Sequence, residues 1–253
     1  MRMTSWIFAA LLALPMTLTA DVEDTEEMTF EVNPGARISL ENINGDIDIT
    51  AGSAGEVKVT ARKKAGTQEY LDDLEIVTEA DADYVRIETR HPKREGGWFN
   101  WGSDGSGSVA YELSVPADVE LDSIETVNGD VRIRAVTGTV KASTVNGGLD
   151  VENLAADVSL ETVNGRITAA FDALGAGQRV NAEAVNGRIV ILLPADAGAR
   201  VTAETVNGSI DADDFGLEPE KGFVGRDLSG DIGDGGARLS LDTVNGSITI
   251  SKK

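Results

Sequence analysis

Apolar and polar residues alternate with period two through most of this chain, and the alternation breaks repeatedly at an Asn-Gly dipeptide. The dipeptide occurs seven times, at Asn44-Gly45, Asn128-Gly129, Asn146-Gly147, Asn164-Gly165, Asn186-Gly187, Asn207-Gly208 and Asn245-Gly246. Five copies lie inside Thr-Val-Asn-Gly, and the central spacings are 18, 18, 22 and 21 residues, with 38 before the last. Four residues before each Asn stand Leu40, Ile124, Ala142, Leu160, Ala182, Ala203 and Leu241. Two residues after each Gly stand Ile47, Val131, Leu149, Ile167, Ile189, Ile210 and Ile248. Alternation on both sides of a sharp turn predicts strand, turn, strand in every unit. A recurrent unit of this length marks an architecture in which each repeat stacks on the next.

Two all-β arrangements fit. One is an antiparallel meander or sandwich of hairpins, because Asn and Gly both accept the positive φ of a two-residue hairpin turn. In that arrangement Thr144 lies opposite Leu149. The other is a β-solenoid of 18–22-residue rungs with Asn-Gly corners. The residue before each Asn is Ile or Val in all seven units, and a hairpin would turn it away from the buried side. A corner at that point is expected to bring each of these residues into the core, which favours the solenoid. Stacked rungs would then set Asn128, Asn146, Asn164, Asn186, Asn207 and Asn245 in a hydrogen-bonding structural ladder.

The pattern divides the chain into an apolar leader, residues 1–20, an N-terminal β region, residues 21–118, and a repetitive region, residues 119–253. Within the second, strands are expected at Leu74 to Thr78, Tyr84 to Thr89 and Val109 to Val115, with a Gly- and aromatic-rich loop over residues 90–108. Two insertions, Phe171 to Gln178 and Asp213 to Gly236, should emerge as loops from the stack. The leader, with Arg2, the apolar run from Trp6 to Leu14 and Leu18-Thr19-Ala20, reads as an export signal too short for a comfortable membrane span. The mature chain is expected to lack a transmembrane segment and to work in the periplasm or at the cell surface.

Composition sharpens this. The formal charge is −21, which argues against a nucleic-acid partner, since phosphates demand a basic footprint. With no cysteine there is no disulfide framework, so packing and backbone pairing must hold the fold.

The recurring Glu-Thr-Val-Asn-Gly, the lead-in Tyr111-Glu112-Leu113-Ser114-Val115-Pro116 and the closing Leu241 to Ile250 resemble a bacterial family of exported β-strand-repeat proteins of unknown function, labelled candidate adhesins. The resemblance covers residues 30 to 253. It implies a β-helical fold, an envelope location and, through some relatives, a link to envelope stress. It brings no catalytic motif.

Candidate chemistry is sparse. The single histidine, His91, stands beside Pro92 in an expected loop, where a solvent-facing role outweighs a catalytic one. Gly102 to Gly107 lacks the lysine and helix of a phosphate loop. The chain is therefore read as a non-enzymatic binding module, the alternative being a β-helical enzyme that acts on polysaccharide through paired carboxylates. Three residues before each Asn stand Glu41, Glu125, Ser143, Glu161, Glu183, Glu204 and Asp242. Stacked, these form an acidic row relieved by Arg166 and Arg188, or a Ca²⁺ site at Glu161, Glu183 and Glu204. Asp227 to Asp234 is a second, less ordered acidic run. The opposite chemistry gathers at Arg90, Lys93, Arg94, Trp98, Phe99 and Trp101, a basic-aromatic tip suited to an envelope protein, a glycan or an anionic surface polymer.

Overall fold

A computed structural model describes residues 21–92, 107–221 and 225–253. The leader 1–20 and five members of the basic-aromatic tip, Lys93, Arg94, Trp98, Phe99 and Trp101, lie outside the described residues. The chain opens with β1 (Val22–Glu31), β2 (Arg37–Glu41), β3 (Ile47–Ala51) and β4 (Glu56–Ala65). The short helix α1 (Gln68–Asp72) leads to β5 (Glu75–Asp81), β6 (Tyr84–Arg90) and β7 (Gly107–Val115). The repeats supply β8 (Glu120–Asn128), β9 (Val131–Arg134), β10 (Val140–Asn146), β11 (Leu149–Glu152), β12 (Val158–Ala170) and β13 (Arg179–Leu193). The last elements are β14 (Ala199–Asn207), β15 (Ile210–Asp211), β16 (Glu220–Lys221), β17 (Arg226–Ile232), β18 (Ala237–Asn245) and β19 (Ile248–Lys252). The fold is all-β, one mixed sheet of 19 strands.

The Asn-Gly units pair side by side in parallel, Asn against Asn. Asn128 meets Asn146, Asn146 meets Asn164, and Asn164 meets Asn186. Thr144 lies beside Thr162 and Leu149 beside Ile167, so Asn-Gly does not close an antiparallel hairpin. Strands β12 and β13 pass through the dipeptide without a break. Antiparallel pairing is confined to the margins, where β4 joins β1 to β7, β5 covers β6, and β17 covers β14. The outer strands β1 and β5 carry Glu23, Asp24, Glu26, Glu27, Glu75 and Glu79, charges that deter further edge pairing.

The units do not stack in chain order throughout. The final one, β18 and β19, lies between β13 and β14, so Asn186 neighbours Asn245 and Asn245 neighbours Asn207. The excursion between β15 and β18 makes this placement possible. It returns as β17, which occupies the outer edge of β14 and leaves the last unit the place between β13 and β14.

Parity along the strand decides what is buried. Residues four and two before each Asn face inward, as Leu160 and Thr162 do, and Ile167 and Ala169 face inward after it. Five positions separate Thr162 from Ile167, an odd number, so the alternation slips by one residue at Asn-Gly. A strand that bends there presents both arms to one interior. The slip falls after the β-branched residue rather than before it. Ile43, Val127, Val145, Val163, Val185, Val206 and Val244 are therefore 37–43% exposed, contrary to the expectation that they fill the core.

The glycine is required by proximity. Among the seven dipeptides only Gly45 has a positive φ, +123°, and no Asn does, so the left-handed conformations of a hairpin turn are not the reason for the motif. A Cβ on Gly147 would instead collide with the carbonyl oxygen of Gly129, and one on Gly165 with that of Gly147. The same collision recurs along the stack to Gly187, Gly246 and Gly208. The buried Thr hydroxyl completes the corner by donating to the neighbouring Gly carbonyl, from Thr144 to Gly129 at 3.0 Å and from Thr162 to Gly147 at 3.2 Å.

Gly165→Ala should lower unfolding free energy by about 1–3 kcal/mol through overpacking against backbone, whereas Gly177→Asn, at a φ of +83° with open space around it, should cost less. Urea denaturation of the two variants measures the difference. Equal stabilities would contradict the close-approach account.

Candidate functional site

The outward face of the stacked strands carries three rows, each set by position relative to Asn. The asparagines hydrogen-bond from unit to unit, Nδ2 to Oδ1, at 2.8–3.0 Å. The chain of donors runs Asn207, Asn245, Asn186, Asn164, Asn146, Asn128, Asn44, and Asn44 Nδ2 donates to the Gly107 carbonyl at 3.2 Å. Each side chain between the two ends donates to one neighbouring Asn and accepts from the other, so the amides align head to tail and reinforce one another. An Asp at any of these positions would lack the donor.

Beside the asparagines runs the apolar row, in spatial order Ile43, Val127, Val145, Val163, Val185, Val244 and Val206. These seven are all of the large hydrophobic side chains exposed among the described residues. Two residues further back, about 6.6 Å along the strand, runs the acidic row. Its order is Glu41, Glu125, Ser143, Glu161, Glu183, Asp242 and Glu204, and Asp227 of β17 follows opposite Glu204. Apolar and acidic rows share parity, hence a face. They line an open groove of about 890 Å³ that includes Glu161, Val163, Glu183, Val185, Asp242 and Val244, with Arg226 at one end.

Neighbouring carboxylates in adjacent strands, about 4.8 Å apart, repel by roughly 1 kcal/mol per pair in water. The structure relieves this at the margins. Arg86 pairs with Glu41 at 2.9 Å, Ser123 donates to Glu125, and Ser143 interrupts the row. Arg166 and Arg188 do not supply the expected relief: they stand two residues beyond Asn, past the corner, and make no ion pair among the described residues. Asp242, flanked by Glu183 and Glu204, carries the consequence. Burial first, then the Glu183 carboxylate, push its pKa above the ordinary aspartate value, against a hydrogen bond from Ser240 at 3.4 Å.

The expected calcium set is not contiguous. Glu161 and Glu183 are neighbours, but Asp242 separates Glu183 from Glu204, because the last unit inserts there. Among the described residues no three His, Asp or Glu side chains converge as a metal site. The run from Asp227 to Asp234 is also dispersed, with Asp227 beside Glu204 and Asp231 paired to Arg200 at 2.9 Å.

His91 is half-buried rather than solvent-facing. Its Nδ1 lies 3.0 Å from the Tyr70 hydroxyl, Nε2 is buried without a partner among the described residues, and desolvation lowers its pKa. Arg90, the described member of the basic-aromatic set, is engaged by Glu88 through Nε at 2.9 Å and Nη2 at 3.1 Å. That bidentate hydrogen bond holds the Glu88 carboxyl below its usual range.

Sequence reasoning singled out the acidic row and missed the apolar one. The signal was present, since positions one and three before Asn have the same parity and must face the same way.

Two outcomes check this geometry. Val163→Thr should change stability by no more than about 0.5 kcal/mol, as at an exposed site, while Leu160→Ala, buried three residues earlier, should cost about 2–5 kcal/mol. A raised folded pKa means that ionised Asp242 opposes folding above that pKa, and that the penalty disappears as pH falls through it. Asp242→Asn should therefore raise Tm at pH 7, with the gain vanishing in acid; a Tm gain unchanged across the titration would refute the electrostatic cause.

The family model described as Toastrack DUF4097 matches residues 103–251, more than half of the chain. A candidate cell adhesion protein from Clostridium sporogenes is 15% identical over 91% of this chain and 100% of its own, with a TM-score of 0.46. A candidate adhesin from Bacteroides fragilis is 15% identical over 90% of this chain and 97% of its own, with a TM-score of 0.44. No curated protein matches the chain.

Proposed function

The chain belongs to the Toastrack DUF4097 family, and from that premise we propose that it is a non-enzymatic, exported binding module of the bacterial envelope. Its stacked parallel units act as a β-solenoid, a rigid rod that displays rows of side chains at fixed spacing. The observation that carries the reading is the apolar row. Seven β-branched residues in register, in a chain that exposes no other large hydrophobic among its described residues, form a continuous strip. Scattered surface hydrophobics are ordinary, but an aligned strip marks a contact surface.

The adjoining acidic row defines the partner's chemistry. A complementary protein segment presents apolar side chains against the valines and Lys or Arg against the carboxylates, which would also remove the repulsion along the row. A glycosidase needs two carboxylates facing each other across a bound sugar. Here the carboxylates stand side by side on one face of the sheet. The leader fits export, with the mature chain starting near Asp21.

A labelled short peptide alternating Val with Lys probes the surface by fluorescence anisotropy. It should bind the mature protein, weaken as salt rises, and lose about tenfold in affinity, near 1.4 kcal/mol, to the double variant Val163→Ser with Val185→Ser. Equal affinity for a Val and Glu peptide, or an unchanged affinity in the double variant, would sink the assignment.

A further inference from the structure

Six positions back from the apolar row, on the same outward face, the charge reverses. Seven residues before Asn186, Asn245 and Asn207 stand Arg179, Arg238 and Arg200, brought into three adjacent strands by the insertion of the last unit. The row continues at both ends into carboxylates. Asp157 precedes it and pairs with Arg179 at 2.9 Å, and Asp231 follows it and pairs with Arg200 at 2.9 Å. Arg238, in the middle, makes no ion pair among the described residues. Three arginines on strands about 4.8 Å apart share two carboxylates, and the unmatched charge falls on the central one.

The walls around this row are backbone. Gly177 at the end of the first insertion, and Gly235 and Gly236 in the turn between β17 and β18, complete a pocket of about 290 Å³ with the three arginines. Gly177 donates to the Gly236 carbonyl at 2.8 Å, which ties the two loops together beside the arginines. Gly177 and Gly235 have φ values of +83° and +69°, so the loops hold a left-handed shape that keeps side chains out of the opening. In a chain of net charge −21, a concave site lined by three arginines and three glycines is set against the overall field.

We infer that Arg179, Arg238 and Arg200 form a binding site for a phosphate group. Guanidinium pairs with phosphate oxygens through two parallel N–H donors, and a row of three gives a tetrahedral anion donors from several directions. Arg238 makes the principal contact because its charge is otherwise unmatched. Arg179 and Arg200 are held in place by Asp157 and Asp231 and contribute their remaining donors. The site lies about 20 Å along the strand from the valines, and it stands independently of the peptide-binding reading.

The test is calorimetric titration at about 0.1 M salt, where the field of distant carboxylates is screened beyond about 10 Å. Pyrophosphate, glucose 1-phosphate, and vesicles of phosphatidylglycerol or phosphatidylcholine are titrated into the mature protein, Arg238→Gln and Arg238→Lys. Binding of a phosphate probe should fall about tenfold in R238Q, a loss of near 1.4 kcal/mol, and by less in R238K, with Tm and circular dichroism unchanged in at least one of them. Binding of glucose 1-phosphate but not phosphatidylglycerol identifies a soluble or glycan-borne phosphate, and the reverse identifies a lipid headgroup. Absence of binding to every phosphate probe, or undiminished binding in both variants, overturns the inference.

Discussion

The close approach of one Asn-Gly corner to the next is the constraint on which the rest depends. Six of the seven repeated glycines lie so near the carbonyl of the glycine beside them that no other residue fits, and Gly45 lies as close to the carbonyl of Val109. This proximity forces register, because a slip of one unit residue would drive a Cβ into backbone. Register in turn aligns the Asn amides into one hydrogen-bonded row and places each Thr hydroxyl on a Gly carbonyl. It also aligns everything else on the strand, whether or not alignment is favourable. Like charges stack as faithfully as amides do.

That is how a structural device produces continuous rows on the surface. A sheet built from in-register strands converts any residue recurring at one position into a continuous row. The valines become an apolar strip, the glutamates an acidic one, and three arginines a basic patch bounded by Asp157 and Asp231. None of these rows is needed by the core, which is filled by Leu, Ile, Val and Ala of the opposite parity and by the buried Thr side chains. The outward positions are therefore free to carry recognition. Some of their arrangement works against stability, as the raised pKa of Asp242 records.

The legibility of the site in the sequence was uneven for identifiable reasons. Strands expected at Leu74 to Thr78, Tyr84 to Thr89 and Val109 to Val115 correspond to β5, β6 and β7, and the last two alternate strictly. The acidic row was readable from position alone. Hydrophobicity alone suggests burial for Ile43 and the six valines, while their parity with the glutamates indicates exposure. By sequence His91 reads as a loop residue facing water, since nothing local to it shows that Tyr70, twenty-one residues earlier, packs against its ring. The calcium grouping of Glu161, Glu183 and Glu204 assumed that neighbours in sequence are neighbours in space.

The sequence by itself determined the all-β class, the strands and the alternation within each arm of a unit, because these follow from a period of two and a recurring dipeptide. Only the tertiary structure decided on which side of the valine the phase slips, and which unit lies beside which. The first depends on where the backbone bends, one residue later than side-chain character suggests. The second depends on β17 taking the outer edge of β14, which leaves the last unit a place between β13 and β14. That placement puts Asp242 between two glutamates and Arg238 between two arginines. A linear chain cannot announce such neighbours, since they come from the pairing of strand edges far apart along it.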